Sequence, residues 1–146
     1  MVKFIAHRGN TDGAQPEFEN TQEYMLHALS ENCGVEVDLI LHNEKLYYGH
    51  DEPGELADMY LITNPDVICH AKTLETMTEL MDRHVHCFWH QADHITLTNY
   101  GYIWCYPGYH PVHEKAIWLD LHNQSVPVKD LDKIYAICGD DRKVLK

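Results

Sequence analysis

Positive charge is scarce in this chain: 11 lysines and arginines stand against 23 aspartates and glutamates over 146 residues, a formal net charge of −12. A surface of that sign repels phosphate backbones and anionic bilayers, which excludes nucleic-acid tracking and binding to acidic membranes. Long apolar runs are missing too. None approaches the roughly 18 residues that a spanning helix requires, so no membrane insertion is expected. From Met1 the chain passes straight into the strand-like Val2-Lys3-Phe4-Ile5-Ala6-His7, and no targeting segment is expected ahead of the fold. There is no CxxC pair to suggest zinc. The five cysteines (Cys33, Cys69, Cys87, Cys105 and Cys138) are odd in number, and four lie in apolar strand-like runs. That pattern predicts reduced, buried thiols in a cytoplasmic protein rather than a disulfide framework. A glycine-rich phosphate loop of the Gly-Lys-Ser/Thr kind, GxGxxG, HExxH and GxSxG are all absent, which removes the usual warrant for nucleotide binding, zinc proteolysis and serine hydrolysis.

What is present suits one folded domain, residues 1–146, with 45% hydrophobic and 23% charged residues and an unusual 12 histidines. Val2–Ala6 reads as a strand, followed by a polar, glycine-containing loop from Gly9 to Phe18. Asn20 is expected to cap a helix with Glu23 in the reciprocal position, Met25, Ala28 and Leu29 forming its stripe and Gly34 following its end. Val35–Ile40 and Leu46–Tyr48 read as strands around an Asn43-Glu44-Lys45 turn. Asp66–Lys72 is a further strand. Thr73 should cap a helix to about Arg83, with Leu74, Met77, Leu80 and Met81 as its apolar stripe and the methionines in the core. His86–His90 is the next strand. Beyond Gln91 the helical signal fades into short strands at Ile95–Thr98, Tyr102–Tyr106, Ala116–Leu121 and Ile134–Cys138, with one helical turn near Asp130.

Strand side chains alternate, so Glu36 and Asp38 share a face, and two carboxylates on an otherwise apolar strand are costly to bury unless a cation or donors meet them. They read as oxygen ligands of a hard divalent cation such as Mg²⁺ or Ca²⁺; a buried salt bridge with Lys72 or Arg8 is the alternative. His70 and Lys72 likewise share one face of their strand.

Four motifs run in order through the first third of the chain: His7-Arg8-Gly9, Glu19-Asn20-Thr21, Glu36-Val37-Asp38 and His50-Asp51. Together they resemble the glycerophosphodiester phosphodiesterase family, with weaker likeness at Lys72, at Trp104 and at Cys138-Gly139-Asp140. The resemblance implies a (β/α)8 TIM-like barrel with its site at the C-terminal strand ends. It also implies metal-dependent cleavage of a small-molecule phosphodiester to glycerol phosphate and an alcohol through a cyclic phosphate. A phospholipase D-like lyase that stops at the cyclic phosphate, and a catalytically silent metal- and phosphate-binding protein, are the alternatives.

Phosphodiester cleavage needs a base, an acid and neutralisation of the phosphoryl oxygens. His7 and His50, each ending a strand, are the expected catalytic pair. Arg8 and Lys72 would hold phosphate oxygens, and Trp104 would contact substrate. At His70 the family has a glutamate. An imidazole there lowers the site's negative charge and favours Mn²⁺, Zn²⁺ or Ni²⁺ if His70 ligates. His90 shares the parity of Phe88 and either faces the pocket or sits as a rim histidine, whereas His84, His110, His113 and His122 are expected to be solvated.

An ordinary barrel of this kind runs to roughly 250 residues, so most of its helices cannot fit in 146. The expectation is a miniature barrel with helices after the first and third strands and several missing, especially in the C-terminal half. Its outer face would be covered by aromatics such as Trp89, Tyr102 and Trp118 or by a second copy of the chain, which makes a homodimer.

Overall fold

The computed structural model describes residues 1–121 and 126–146; the expectation for His122 lies outside the described residues. Strands β1 (Lys3–His7), β2 (Gly34–His42), β3 (Lys45–Tyr48), β4 (Val67–Ala71), β5 (Cys87–Phe88), β6 (Ile95–Leu97), β7 (Ile103–Cys105), β8 (Ala116–Asp120) and β9 (Ala136–Gly139) form one sheet. Its order is β5-β4-β2-β1-β9-β8-β7-β6, with β3 hanging on β2 as an antiparallel hairpin. Every neighbouring pair on that path is parallel except β6 with β7. Apart from the β3 hairpin, the staves follow chain order around the sheet. Its two ends are drawn together by Asn99, whose backbone N–H donates to the Cys87 carbonyl at 2.9 Å and whose side chain accepts from the Cys87 N–H at 2.8 Å. The result is an α/β, nearly closed, mostly parallel barrel of eight staves with few helices.

Alternation along each stave sorts the core into an inside and an outside. The interior is filled by Ile5, Ile68, Phe88, Trp104, Ile117, Leu119, Ala136 and Cys138. Outside β1, β2 and β4, residues such as Val35, Val37 and Leu39 are covered by α1 (Gln22–Ser30), α2 (Met59–Ile62) and α3 (Leu74–Asp82). Outside β7, β8 and β9 the described residues form no α-helix. There Trp118 and Ile137 are buried under 3-10 segments Val128–Lys133 and Arg142–Leu145, which contribute Leu131, Val144 and Leu145. The Trp118 indole N–H donates to the Pro111 carbonyl at 2.9 Å, so its polar edge is satisfied by the loop that covers it. Loops and short turns thus replace the helices for which the chain has no length, while β6 keeps Ile95 and Leu97 exposed. All five cysteines are buried and free. No helix among the described residues is long and apolar enough to cross a membrane.

Four local expectations are corrected. Thr21, not Asn20, caps α1, its hydroxyl accepting from the Tyr24 N–H; Asn20 sits at φ 57 with its side chain turned to the site. The short α2 was not expected, although Asp58 caps it through the N–H groups of Tyr60 and Leu61 and it buries Leu61 and Ile62. On α3, Leu74 and Met81 are exposed and Thr76 is buried, because the Thr76 hydroxyl accepts from the Leu41 N–H and turns the helix about its axis. Tyr102 does not cover the outside; it packs with the interior cluster, against Tyr135 at 4.5 Å.

His86, buried between Tyr100 and Tyr102, shares a 2.8 Å hydrogen bond with the Thr98 hydroxyl. Burial pushes its pKa down to about 4, below the ordinary value of 6.5. Between those values the unfolded chain binds a proton that the folded chain does not, so stability falls as pH drops from 6.5 to 4. Urea titrations across that range should show a declining midpoint, and the decline should flatten in His86→Asn; an equal slope in the variant would remove this account.

Candidate functional site

Parallel register brings together side chains far apart in sequence. His7 pairs with Glu36, and Asp38 with His70, near the C-terminal ends of β1 and β4 and in the first half of β2. Glu36 and Asp38 both point inward as alternation requires, and each is about 1% exposed. His70 Nδ1 lies 3.2 Å from Asp38 Oδ1 and 3.8 Å from Glu36 Oε1. One donor atom from each of the three falls within 4.8 Å of the others.

Cations also reach this cluster. Arg8 Nε is 3.0 Å from Asp38 Oδ2, Arg8 Nη1 donates to Glu19 at 3.3 Å, and Lys72 Nζ is 3.6 Å from Asp38 Oδ1. The salt bridges with Arg8 and Lys72 raised as an alternative therefore exist. Asp38 Oδ1 is buried, with His70 Nδ1 and Lys72 Nζ as its polar neighbours. Four carboxylates (Glu19, Glu36, Asp38 and Asp140) face two permanent cations, Arg8 and Lys72. With all four ionised, the excess of two negative charges is what one divalent cation offsets, and the O, O, N donor set fits such an ion.

The titration of the cluster follows from the same geometry. Burial, reinforced by the neighbouring Asp38, raises the Glu36 carboxyl from 4.5 to about 7. Burial would raise Asp38 as well, but His70, Lys72 and Arg8 outweigh it and hold Asp38 below the usual carboxylate range. His70 is driven down to about 4 by burial against the pull of Asp38, so at neutral pH its ring keeps a lone pair to give.

Loops fix these groups in left-handed backbone conformations. Arg8 (φ 54) turns its N–H onto Glu36 Oε2 at 3.2 Å, and the following Gly9 (φ 90) would carry a Cβ 2.9 Å from the Tyr24 ring. Asn20 clamps Asp38 twice, donating to Oδ2 at 3.0 Å and accepting from the Asp38 N–H at 2.9 Å. Strain of this kind is sustained where the surroundings over-determine it.

His7 stands beside the cluster with its Nδ1 2.8 Å from Asp140 Oδ1 and its Nε2 3.9 Å from Glu36 Oε2. Asn10 ties Asp140 and Glu19 together, donating to each at 2.9 Å. His50 is not in this cluster. It follows Gly49, where a Cβ would fall 2.0 Å from the Glu52 carbonyl oxygen, and its Nδ1 meets Asp51 at 2.9 Å. It lines a cleft of about 660 Å³ that it shares with Arg8, Glu19, Asn20 and Tyr48. Trp104 is enclosed in the barrel, 4% exposed, its ring 4.3 Å from Phe88, which stacks in turn on His70 at 4.5 Å. It therefore supports His70 from below through Phe88 and does not line the cleft. His90 faces the site: its ring stacks on His70 at 4.9 Å.

Sequence reasoning missed Asp140, Asn10 and the clamping role of Asn20 among the site residues. Asn20 and Asp140 lay inside motifs already noticed, whereas no spacing signal marks Asn10. Compared with family models, with curated proteins and with solved structures, the chain matches none.

Proposed function

We propose that the protein is a metal-dependent phosphodiesterase acting on small glycerophosphodiesters, on a miniature TIM-like barrel of the kind the glycerophosphodiester phosphodiesterases have. The observation that carries this reading is the convergence of Glu36, Asp38 and His70 on one buried spot, beside two cations and His7. Glu36, Asp38 and His70 would hold the divalent ion: Mg²⁺ or Ca²⁺ suits the carboxylates, and the imidazole extends the range to Mn²⁺, Zn²⁺ or Ni²⁺. Such an ion supplies Lewis-acid stabilisation of charge on the phosphoryl oxygens. Arg8 and Lys72 hold the non-bridging oxygens, and the 660 Å³ cleft admits a small diester.

The chain's own residues then move protons. Asp140 holds His7 by Nδ1, leaving Nε2 as the base that takes the proton of the substrate's glycerol hydroxyl. The hydroxyl oxygen bonds to phosphorus, the bond from phosphorus to the alcohol oxygen breaks, and His50 protonates the departing alcohol. The phosphate is left cyclic, and water opens the ring by the reverse proton transfers. Phosphorus NMR of purified protein with glycerophosphocholine and Mn²⁺ or Mg²⁺ is expected to show a cyclic glycerophosphate signal replaced by glycerol phosphate. Accumulation of the cyclic product alone would mark a lyase, and no turnover with any divalent ion would contradict the proposal.

A further inference from the structure

Asn10 is fully buried in the loop after β1, and its backbone N–H returns to the His7 carbonyl at 2.9 Å. A buried amide is costly unless its polar atoms are met, and here all of them are. Oδ1 accepts from the Gln15 N–H at 3.1 Å, while Nδ2 donates one hydrogen to Glu19 Oε1 and the other to Asp140 Oδ1, both at 2.9 Å. These partners fix which way the amide faces, because an ionised carboxylate only accepts and a backbone N–H only donates.

Asn10 is the midpoint of a continuous chain of hydrogen bonds. At one end His7 Nδ1 meets the same Asp140 Oδ1 at 2.8 Å; at the other Arg8 Nη1 donates to Glu19 Oε2 at 3.3 Å. His7 and Arg8 are neighbours in sequence, so the chain closes into a ring through His7, Asp140, Asn10, Glu19 and Arg8. Among the described residues, His7 and Asn10 are the hydrogen-bond partners of the Asp140 carboxylate. Its backbone is pinned separately: the Gly13 N–H donates to the Asp140 carbonyl at 2.8 Å, and the Arg142 N–H to the Thr11 carbonyl at 3.1 Å. Without the two amide hydrogens, Glu19 and Asp140 would repel each other unshielded, and the Asp140 carboxylate would be free to rotate off the imidazole while its backbone stayed in place.

We infer that Asn10 is a positioning residue of this site: by holding Asp140 on one side and Glu19 on the other, it sets the His7 ring and the Arg8 guanidinium at one fixed offset, so that base and phosphate contact meet a substrate in register. The roles of base and phosphate contact rest on the phosphodiesterase reading, whereas the hold on the His7 ring is a property of the fold alone. The side-chain bonds of Asn10 reach none of Glu36, Asp38 and His70, so ion binding serves as the control.

Asn10→Ala removes both donations, and Asn10→Asp keeps the shape and the acceptor but places a third carboxylate between two others. Each should lower kcat for glycerophosphocholine by about 10- to 100-fold and leave the Mn²⁺ dissociation constant within about threefold of the wild type. KM should move less than kcat, because Arg8 keeps its second carboxylate, Asp38. In a His7→Ala background the same substitutions should cost less than about threefold, since the ring they release is already gone. Nitrogen NMR of histidine-labelled protein, above the pH at which His7 titrates, reads the hold without turnover. The wild-type His7 ring should be fixed as the Nδ1–H tautomer, and in Asn10→Ala its two nitrogen shifts should move toward those of exchanging tautomers.

Unchanged kcat in both variants, an equal loss in the His7→Ala background, or ring shifts unmoved in Asn10→Ala would each overturn the proposal. Loss of cooperative melting in both variants would overturn it as well, by making Asn10 a folding residue. If the wild type cleaves no diester, the phosphodiesterase reading fails separately, and the ring nitrogens still decide whether Asn10 holds His7.

Discussion

His7→Ala is expected to remove turnover, lowering kcat/KM by about 10³-fold, within the range of a positioned acid or base, while divalent-ion binding persists. The separation follows from where His7 sits. Its Nε2 is 3.9 Å from Glu36, but the three donor atoms that converge belong to Glu36, Asp38 and His70. Losing the imidazole removes the base and leaves the ion's cage. Asp140→Asn should fall between the variant and the wild type, because it keeps a hydrogen-bonding oxygen near Nδ1 and loses the charge that fixes the tautomer. Phosphorus NMR gives the rates and Mn²⁺ titration followed by paramagnetic relaxation gives the affinity. Full activity in His7→Ala would take proton transfer away from this residue.

Glu36→Gln should act in opposite directions on stability and on metal binding. Glu36 is buried beside Asp38, and its carboxyl, at 4.5 in the unfolded chain, is raised to about 7 by that burial. The protonated form is the one the fold prefers, so its stabilisation is lost as pH rises from 4.5 through 7, and ionised Glu36 burdens the metal-free fold at pH 8. Glutamine removes that charge and keeps an oxygen for the Arg8 N–H. The metal-free variant should therefore melt several degrees above the wild type at pH 8. Metal acts the other way. Excess Mn²⁺ should stabilise the wild type by about 2.7 kcal/mol at a hundred times Kd and should leave the variant unmoved. A variant that melts lower and still responds to metal would show that Glu36 is a structural ion-pair partner.

Much of the fold was legible because each stave carries its own local signal. Glu36 and Asp38 announced themselves as carboxylates at period two in a strand of branched residues, and their shared inward face follows from that spacing alone. The Thr73 cap was equally local, since its hydroxyl needs only the Thr76 N–H three residues on. What the sequence could not show depends on contacts between distant segments. Asp140 meets His7 across 133 positions, visible only once β9 lies beside β1. Asn20 looked like a cap because its residue type is right; the site captured its side chain and left the cap to Thr21. Leu74 and Met81 fitted a helical stripe, but the Thr76 bond to Leu41 decides which face α3 buries. Trp104 looked like a substrate contact by motif, and the parity of β7 turned it into the barrel instead.

The account stands on one cation held by Glu36, Asp38 and His70. Anomalous diffraction at the manganese edge from crystals grown with Mn²⁺ tests it most directly. A single strong peak is expected within coordination distance of one oxygen each from Glu36 and Asp38 and of His70 Nδ1. Crystals that show no peak there, or whose ordered manganese lies elsewhere on the molecule, would contradict it.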